Sequence, residues 1–437
     1  MRPTDQPVLC ELLEARFVDI FGKVKAMVIP LKQPSADLQQ IASDPAVVAG
    51  IGVDGSSIEG YTGIENSDMH LAPDGETVFS LPYDPARAAA YCDLYQRGPR
   101  GEHTPFAGDP RGRLKTVLRE CLEPGQRIEI KPELEFYFLR GERPADGGGY
   151  IDVYPRDELS QNMDAVFRTL GEMGIAAERV HHENGPGQVE VEIDYAPILF
   201  QADHLVSAKT AIQALAHRAG LQATFMPKPF ADTAGSGMHI HFRLFEHDRN
   251  LFGGDAGELS ETARRFVGGL LEHAPALTAV CNPTVNSYKR LVPGHEAPVY
   301  ICWGHRNRST LVRIPLFAEP AKAAVEFRSP DATVNFYLGL AAAVAAGMDG
   351  VRRGTEPPEA RTDNVYLLSP AQLRRFRVRP LPGTLGEALD ALERDDVVLG
   401  ALGDTLGPRF LEMHRAAWDR YLHSVVTDWE RNTYSDA

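Results

Sequence analysis

The sequence predicts an α+β protein in which a small N-terminal β domain, residues 1–104, precedes a large domain, residues 105–437, built on a mostly antiparallel sheet flanked by helices. Two observations predict this fold class. Segments of alternating, β-prone residues interleave with helical segments, but without the regular βαβ rhythm of a doubly wound sheet. The stretch "GPRGEHTPFAGDP", residues 98–110, is rich in Gly and Pro, which is typical of a domain boundary.

The elements of the N-terminal part are predicted from local patterns. Residues 6–14 are predicted to form a short helix. Residues 16–30, "RFVDIFGKVKAMVIP", alternate in hydrophobicity around Phe21, Gly22 and Lys23, which indicates a β-hairpin. Two further strand-like segments are "ETVFSLPYD" and "RAAAYCDLYQ".

The large part begins with a helix, because Asp109 is a favourable N-cap and Pro110 fits the first helical turn. Strands are predicted at residues 127–140, 187–195 and 237–245. Helices are predicted at residues 111–122, 159–175, 202–220, 262–273 and 385–437.

The composition is typical of a soluble globular protein, since 43% of the 437 residues are hydrophobic and 24% are charged. A net charge of −15 argues against nonspecific nucleic-acid binding and against an anionic membrane surface. Five cysteines without a CxxC pattern indicate reduced thiols in a cytoplasmic protein. The longest apolar run, residues 336–348, is too short to span a bilayer and is predicted to be a buried helix.

One glycine-rich motif is not interpreted as functional. Gly50, Gly52 and Gly55 match GxGxxG, but a dinucleotide fingerprint opens a helix and no helical period follows here. The sequence also lacks GxxxxGK[ST], so any nucleotide would be bound by another architecture.

Three pairs of ionisable residues share one spacing, two positions apart inside strand-like segments. On a strand, this spacing places both side chains of a pair on one face. Aligned carboxylates repel each other unless they are neutralised, and a divalent cation, which prefers oxygen ligands, is the simplest neutraliser. The pairs are Glu133 and Glu135, Glu190 and Glu192, and His239 and His241.

A wider set of residues suggests phosphoryl transfer, which depends on charge neutralisation and positioning. Five carboxylates and one imidazole could hold two or three hard cations, and the arginines suit phosphate and carboxylate recognition. For any single residue, a surface charge or a structural ion pair is the alternative. The candidate ligands are Glu133, Glu135, Glu183, Glu190, His239 and Glu326, and the arginines are Arg290, Arg306, Arg308, Arg313 and Arg328.

Seven segments resemble, in order along the chain, the motifs of type I glutamine synthetases. The resemblance implies a β-grasp-like N-terminal domain and a catalytic domain whose curved antiparallel sheet forms a funnel. It also implies two stacked hexamers, a dodecamer in which a neighbour's N-terminal domain completes each active site. The segments are "VDGSSIEGYTGIENSDMHLAPD", "KPELEFYFL", "HHENGPGQVEVE", "FMPKPFADTAGSGMHIH", "NSYKRLVPGHEAP", "RNRSTLVRIP" and "VEFRSPD".

The same resemblance implies the reaction and its cofactors. ATP would phosphorylate the γ-carboxylate of glutamate, and ammonia would displace the phosphate, a step of nitrogen metabolism. Two or three Mg²⁺ or Mn²⁺ ions per site fit the implied ligands. One ion would bind Glu135, Glu183 and Glu190, and a second would bind Glu133, His239 and Glu326.

The family motifs also imply roles in substrate binding and catalysis. Asp54, Ser57, Tyr150 and Glu183 resemble an ammonium pocket in which Asp54 is the base, whereas an Asx turn is the alternative for Asp54. Glu296 resembles a flap residue that shields the acyl phosphate from water, and an exposed loop charge is its alternative.

The remaining implied contacts surround glutamate and ATP. Arg290 and Arg328, with Gly235, resemble the glutamate-binding residues. Arg308 and Arg313 resemble phosphate-side arginines, with Arg308 also catalytic beside Asp54 and Glu296. His241 resembles a nucleotide-side residue, for which a structural histidine is the alternative.

Some positions depart from the family pattern. Ala234 replaces an Asn that helps to hold the amino-acid head of the substrate, and Ala323 with Ala324 replaces a basic pair near the ATP phosphates. Phe336 replaces a Pro, which indicates a packing change. Gly63 replaces an Arg used in feedback inhibition, so feedback control of that kind is not expected.

Three functions compete at this point. The first is glutamine synthesis from glutamate, ammonia and ATP. The second is a related γ-glutamyl-amine ligase that uses a polyamine, ethanolamine or a monoamine, which Ala234 and the lost basic pair favour. The third, a non-catalytic scaffold, is disfavoured because all six metal ligands are present.

Overall fold

The computed structural model describes residues 8–98, 101–254, 257–294 and 297–436. Within these ranges, no helix combines the length and apolar character that a membrane-spanning segment needs. Two large sheets organise the described residues, one in each predicted part, and a separate two-stranded sheet lies in the second part.

In the N-terminal part, the described residues form a seven-stranded sheet in the order β2-β1-β6-β4-β3, with β5 and β7 paired to β6. β1 and β6 run parallel, and the other pairs are antiparallel. The elements are β1 (Cys10–Val18), β2 (Val24–Ser35), α1 (Leu38–Ala42), α2 (Pro45–Ala49), β3 (Ile51–Asp54), β4 (Asp68–Pro73), β5 (Phe79–Ser80), β6 (Arg87–Arg97) and β7 (His103–Pro105).

The predicted hairpin is confirmed, since β1 and β2 pair around a tight turn. The Asp19 carboxylate accepts hydrogen bonds from the backbone N–H groups of Phe21 and Lys23 at 3.0 and 2.9 Å. Gly22 has a φ of +78°, which favours glycine at this position. The turn therefore follows from local chemistry that the sequence displays.

The predicted helix at residues 6–14 is wrong where the structure describes it, because Cys10–Val18 is a strand. Leu13 and Ala15 are fully buried, and β1 pairs with β2 on one side and β6 on the other. Two ladders of backbone hydrogen bonds and the buried side chains outweigh the helical propensity of this segment.

The second part begins with α3 (Pro110–Cys121), where the Asp109 side chain accepts a hydrogen bond from the N–H of Arg111 at 3.0 Å. The predicted helix start is confirmed. β7 still pairs with β6 of the first sheet. The division after residue 104 remains a prediction.

The described part of the large region contains an eleven-stranded sheet with the main path β10-β11-β8-β14-β19-β18-β17. Along this path all neighbours are antiparallel except β17 and β18. Its strands are β8 (Gln126–Arg140), β9 (Arg143–Pro144), β10 (Ala177–His182), β11 (Gln188–Ile193), β12 (Ala196–Pro197), β13 (Gln222–Thr224), β14 (Met238–Glu246), β15 (Arg249–Asn250), β17 (Trp303–His305), β18 (Val312–Ile314) and β19 (Val325–Phe327). Two further strands, β16 (Tyr300–Ile301) and β20 (Arg379–Pro380), pair with each other as a separate small sheet.

Helices cover the apolar face of this sheet. The alternating residues Leu134, Phe136 and Phe138 of β8 are buried in the main core, which includes the nearly all-buried helix predicted at residues 336–348. The opposite face of β8 carries the candidate site. The helices are α4 (Ser160–Glu172), α5 (Ile198–Arg218), α6 (Glu261–Glu272), α7 (Ala274–Cys281), α8 (Ser287–Arg290), α9 (Phe336–Arg353), α10 (Pro370–Arg375), α11 (Leu385–Glu393), α12 (Asp396–Ser424) and α13 (Asp428–Tyr434).

Candidate active site

Strand register brings the three ionisable pairs together. On β11 and β8, Glu190 lies opposite Glu135 and Glu192 lies opposite Glu133. On β8 and β14, Glu133 lies opposite His239. The alternation of each strand therefore places the pairs on one sheet face, as the sequence spacing predicts.

The row of ionisable side chains on β11, β8 and β14 continues onto the next two strands. Glu326 of β19 lies between His241 of β14 and Arg313 of β18. Arg328 follows Glu326 by two residues and donates a hydrogen bond from Nη1 to its carboxylate at 2.8 Å. Basic side chains therefore join the acidic row at this side of the sheet.

These residues surround a cleft of about 730 Å³. Neither Glu326, which is fully buried, nor Arg306 is among the lining residues described. The predicted residues that line it are Glu133, Glu135, Tyr150, Glu183, Glu190, Gly235, His239, His241, Arg290, Arg308, Arg313 and Arg328.

Glu133 is held by both histidines of β14. His239 Nδ1 lies 3.0 Å from one carboxylate oxygen, and His241 Nε2 lies 2.8 Å from the other. Burial alone would raise the pKa of Glu133, but the hydrogen bonds from His239 and His241 hold it well below its ordinary value. Burial and the charge of Arg328 lower the pKa of His239 to about 4.

Glu133, His241 and Glu326 offer ligand atoms within 4.8 Å of one another. The predicted second metal set contains His239, whereas this cluster contains His241. The structure therefore brings the Glu133 and Glu326 carboxylates together with both imidazoles nearby. Burial raises the pKa of Glu326, but the charges of His241, Arg328 and Arg313 outweigh burial and lower it.

The carboxylates of the predicted first set are less well neutralised. Glu135 accepts hydrogen bonds from the Gly237 N–H at 2.8 Å and from Gln188 Nε2 at 3.3 Å. Burial and the charges of Glu190 and Glu183 nevertheless raise the pKa of Glu135 to about 8. Protons or a cation must relieve this repulsion.

Glu190 has a similar environment with one additional partner. Burial raises its pKa to about 7, although a contact from His181, whose Nε2 lies 3.5 Å from Oε1, acts in the opposite direction. His181, Glu190 and Glu192 also offer ligand atoms within 4.8 Å of one another. Sequence reasoning missed His181, although it stands two residues before Glu183.

The donor set fits a divalent cation. Buried carboxylate oxygens with one or two imidazoles suit Mg²⁺ or Mn²⁺, and the raised pKa values of Glu135 and Glu190 indicate charge that the protein alone leaves uncompensated. Glu192 differs, because Lys131 Nζ lies 2.6 Å from its carboxylate. Glu192 is therefore already neutralised by the protein.

The predicted glutamate-binding residues lie close together. Arg290 is buried and donates from Nη1 to the Ser329 carbonyl at 2.9 Å. A Cβ on Gly235 would approach the Arg290 Cγ and the Pro227 carbonyl to 2.7 Å, so only glycine fits here. Ala234 also lines the cleft, and its carbonyl accepts a hydrogen bond from the Tyr137 hydroxyl at 2.6 Å.

Ala323 and Ala324, which replace the basic pair of the family pattern, are buried. Ala324 lines the cleft, and so does Lys322 two residues earlier. Lys322 Nζ lies 3.1 Å from Glu319 Oε1. A positive side chain therefore remains at this edge of the cleft despite Ala323 and Ala324.

Asp54 and Ser57 do not line the cleft of the same chain as the structure describes it. Both are exposed, and Asp54 accepts hydrogen bonds from Ser56 and Ser57, with Ser57 Oγ at 2.9 Å. These contacts, those of Ser56 first, lower the pKa of Asp54. The geometry is that of the alternative Asx turn, and a role in a neighbour's cleft stays a prediction.

Two predicted site residues remain, Tyr150 and Glu296. Tyr150 lines the cleft with its ring edge-on to His181 at a centroid distance of 5.7 Å. Glu296 lies outside the described residues.

Further cleft residues were missed by sequence reasoning. Arg243 stacks on Tyr195, with its guanidinium carbon 3.5 Å from the ring centroid. Lys131 and Arg179 contact Glu192 at the same end. Period-two alternation could have placed Lys131 and Arg243 on the cleft face, since they stand two residues from Glu133 and His241.

Family comparisons agree with this architecture. Residues 10–97 match a family model described as glutamine synthetase, beta-Grasp domain. Residues 107–434 match one described as glutamine synthetase, catalytic domain.

Individual relatives match over nearly their whole length. A glutamine synthetase of Pyrococcus abyssi is 41% identical and covers 99% of this chain and 97% of its own. One of Halobacterium salinarum is 42% identical, with 97% of this chain and 93% of its own covered.

Solved structures show the same fold. A structure described as a GmaS/ADP complex has a TM-score of 0.86 at 33% identity, covering 98% of this chain and 97% of its own. A Plasmodium falciparum glutamine synthetase has a TM-score of 0.83 at 23% identity, covering 97% and 96%, a likeness of fold.

Proposed function

The chain belongs to the glutamine synthetase family, and from this premise we propose how its cleft joins ammonia to the γ-carboxylate of glutamate with ATP. The enzyme is a glutamate–ammonia ligase. One observation carries this conclusion: the strand register aligns carboxylates, imidazoles and arginines across β11, β8, β14, β19 and β18 in a single cleft. This alignment suits phosphoryl transfer, which needs charge neutralisation more than a nucleophilic side chain.

The reaction has two balanced steps. The γ-carboxylate of glutamate attacks the terminal phosphorus of ATP, which forms γ-glutamyl phosphate and releases ADP. Ammonia then attacks the acyl carbon, the bond to the phosphate oxygen breaks, and inorganic phosphate leaves with the electron pair while the nitrogen loses a proton, which balances the charge of the phosphate. Ammonium must first lose a proton to a base, because only neutral ammonia is a nucleophile.

For the metals, we propose Glu135, Glu183 and Glu190 as one ligand set and Glu133, His239 and Glu326 as the other. Bound Mg²⁺ or Mn²⁺, two or three ions per site, would neutralise phosphate and carboxylate charge. The raised pKa values of Glu135 and Glu190 support the first set.

For the second set, the support is that His239 Nδ1 lies 3.0 Å from Glu133 and that Glu133 and Glu326 offer ligand atoms within 4.8 Å of one another, beside His241. His241 is accordingly proposed on the nucleotide side of the second ion.

For the organic substrates, we propose that Arg290 and Arg328, with Gly235, bind the glutamate carboxylates. Burial of both guanidiniums and the tight fit of Gly235 against Arg290 support this assignment. Arg308 and Arg313 would offset charge on the transferring phosphoryl group. Both line the cleft, and Arg313 contacts the buried Glu326.

For ammonia, we propose that Tyr150 and Glu183 of one chain meet Asp54 and Ser57 of a neighbour in a homo-oligomer, a dodecamer by family analogy. The exposure of the Asp54 loop and the cleft positions of Tyr150 and Glu183 support this arrangement. Asp54, whose pKa is lowered by Ser56 and Ser57, would be charged and attract ammonium. Glu296 is proposed as the flap residue.

The domain boundaries and the cellular location complete the proposal. We propose domains at residues 1–104 and 105–437, supported by the two large sheets. A cytoplasmic location is supported by five cysteines that are all unpaired thiols.

The acceptor is tested by phosphate release that depends on ATP and glutamate, measured across ammonia, methylamine, ethanolamine and a polyamine. We expect ammonia to be the competent acceptor, since relatives at 40–42% identity over nearly the whole chain are glutamine synthetases. A strong response to a larger amine with none to ammonia would replace this proposal by the γ-glutamyl-amine ligase.

A second test uses Glu135→Ala, which removes a proposed metal ligand. This variant should release no phosphate with any amine. Retained activity in this variant would remove Glu135 from the proposed metal set.

A further inference from the structure

Two loops bring polar groups into the cleft from the side of β10. The loop between β9 and α4 contributes Tyr150, and the loop between β10 and β11 contributes Glu183. Behind them lie His182 and Asp146, whose side chains are fully buried and are not among the lining residues of the described cleft.

The hydrogen bonds of His182 join the two loops. Its Nδ1 lies 2.7 Å from the Glu183 carbonyl, and its Nε2 lies 3.1 Å from Asp146 Oδ1. A carbonyl and a carboxylate oxygen only accept, so both ring nitrogens donate. The pair is therefore an imidazolium and a carboxylate, each held by the other.

Asp146 extends the connection on both sides. Its Oδ1 also accepts from the Gly187 N–H at 2.8 Å, at the far end of the Glu183 loop. Its Oδ2 accepts from the Glu158 N–H at 3.2 Å, just before α4. The Asp146 carboxylate, at the start of the Tyr150 loop, therefore contacts both a residue just before α4 and the end of the Glu183 loop.

A backbone hydrogen bond also joins the two loops. The N–H of Ile151 donates to the His182 carbonyl at 2.9 Å, which places Tyr150 one residue from a fixed point. A Cβ on Gly148 would come within 2.6 Å of His182 Nε2, so the loop passes as close to the imidazole as glycine allows. Neither loop is regular secondary structure.

We propose that Asp146 and His182 are positioning residues that set the distance between Tyr150 and Glu183 and thereby shape the pocket for ammonium. The inference rests on the proposed function, in which those two residues hold the ammonium ion. A buried ion pair contributes little to net stability compared with apolar packing, so its benefit lies in the fixed geometry. A displacement of about 1 Å at a reacting group can cost roughly 100-fold in rate.

The test measures KM and kcat for Asp146→Asn and His182→Gln with ammonia, glutamate and ATP in the assembled enzyme. We expect the KM for ammonia to rise roughly tenfold or more because the pocket loses its spacing. The KM for ATP should stay within about twofold, since the phosphate-side arginines lie on the β18 side of the sheet.

His273 supplies a matched control. Its ring nitrogens lie 2.7 Å from Asp395 and 3.2 Å from Asp349, it is buried, and it is not among the residues that line the described cleft. His273→Gln should lower the melting temperature to an extent similar to that of His182→Gln and leave the KM for ammonia unchanged.

The outcomes separate the two levels of inference. If wild-type enzyme forms no glutamine from ammonia, the proposed function fails. If wild-type enzyme forms glutamine and the Asp146 and His182 variants change every KM and kcat as His273→Gln does, only the positioning role is overturned. If neither variant folds, Gly148→Ala, which adds one methyl group against His182, must show the same selective rise in the KM for ammonia, and its absence overturns the role.

Discussion

Individual carboxylates in the cleft differ in how their charge is balanced. Glu326 faces Arg313, Arg328 and His241, and its pKa is lowered. Glu135 is buried beside Glu190 and Glu183, and its pKa is raised to about 8. The Glu135 side therefore binds either protons or a cation at neutral pH, whereas Glu326 is paired with Arg313 and Arg328.

This difference predicts that Mg²⁺ affinity rises with pH. A cation must displace the protons on Glu135 and Glu190, whose pKa values are about 8 and about 7. Between pH 6 and pH 8.5 we expect the apparent affinity for Mg²⁺ to increase at least roughly tenfold. Isothermal titration calorimetry at both pH values measures this change.

The stability of the metal-free enzyme should change in the opposite direction. A carboxyl whose pKa is raised on folding stabilises the folded state below its unfolded pKa, and this contribution is lost as pH rises through the folded pKa. For Glu135 the window runs from the ordinary value of 4.5 to about 8. The gain in melting temperature from Mg²⁺ should accordingly be larger at pH 8.5 than at pH 6.

Glu135→Gln is the control for this prediction, since it keeps the shape of the side chain and removes the titrating group. Its residual Mg²⁺ binding should vary less with pH than that of the wild type. An affinity in the wild type that is flat across this range would contradict the role of Glu135 and Glu190 as proton-competed ligands.

Among the secondary-structure elements, β8 serves the core and the cleft with opposite faces. Leu134, Phe136 and Phe138 are buried among helices, while Glu133 and Glu135 face the cleft. The Phe136 ring lies 5.1 Å from that of Phe138 and 5.3 Å from that of Phe225 between centroids. Packing on one face therefore holds the ligands on the other.

Phe136→Ala should destabilise the protein by about 3–5 kcal/mol, because it leaves a cavity beneath the site. Urea unfolding at fixed protein concentration measures the loss. Phe167→Ala on α4 is the control, since that residue is 45% exposed and its truncation should cost below about 1 kcal/mol. Equal losses in the two variants would show that β8 is not anchored by this core.

The same strand shows how far sequence reasoning extends. Alternation predicted residues 127–140, and the structure has Gln126–Arg140, because hydrophobic and charged faces are both marked in the sequence. The helix predicted at residues 6–14 failed because Cys10–Val18 pairs not only with its hairpin partner β2 but also with β6, which is distant in sequence. Local pattern is sufficient only where no distant partner competes.

The candidate site follows the same rule. The spacing of two places Glu133 and Glu135 on one face, but it cannot show that Glu190 of β11 stands opposite Glu135. His181 was missed because its contact with Glu190 depends on the register between β10 and β11. The buried pair of Asp146 and His182 spans 36 residues and has no local signature.

At the scale of the whole molecule, Arg111 connects the two sheets. It lies on α3 and is 3% exposed. Its guanidinium contacts Asp74 at 2.9 Å and Asp93 at 2.8 Å in the N-terminal part, and Asp203 of α5 at 3.0 Å. The Tyr337 hydroxyl donates to Asp203 at 2.5 Å, which extends the network to α9.

Arg111→Met is therefore expected to destabilise the protein by about 3–5 kcal/mol, because it leaves buried carboxylates without their cation. The matched control is Lys115→Met on the same helix, whose Nζ lies 2.7 Å from Asp93 but whose side chain is 30% exposed. An exposed pair contributes about 0–1 kcal/mol, so this variant should change little. Urea midpoints of both variants at one protein concentration provide the comparison. If Arg111→Met and Lys115→Met shift the midpoint equally, the buried guanidinium is not what holds the N-terminal sheet to α3 and α5.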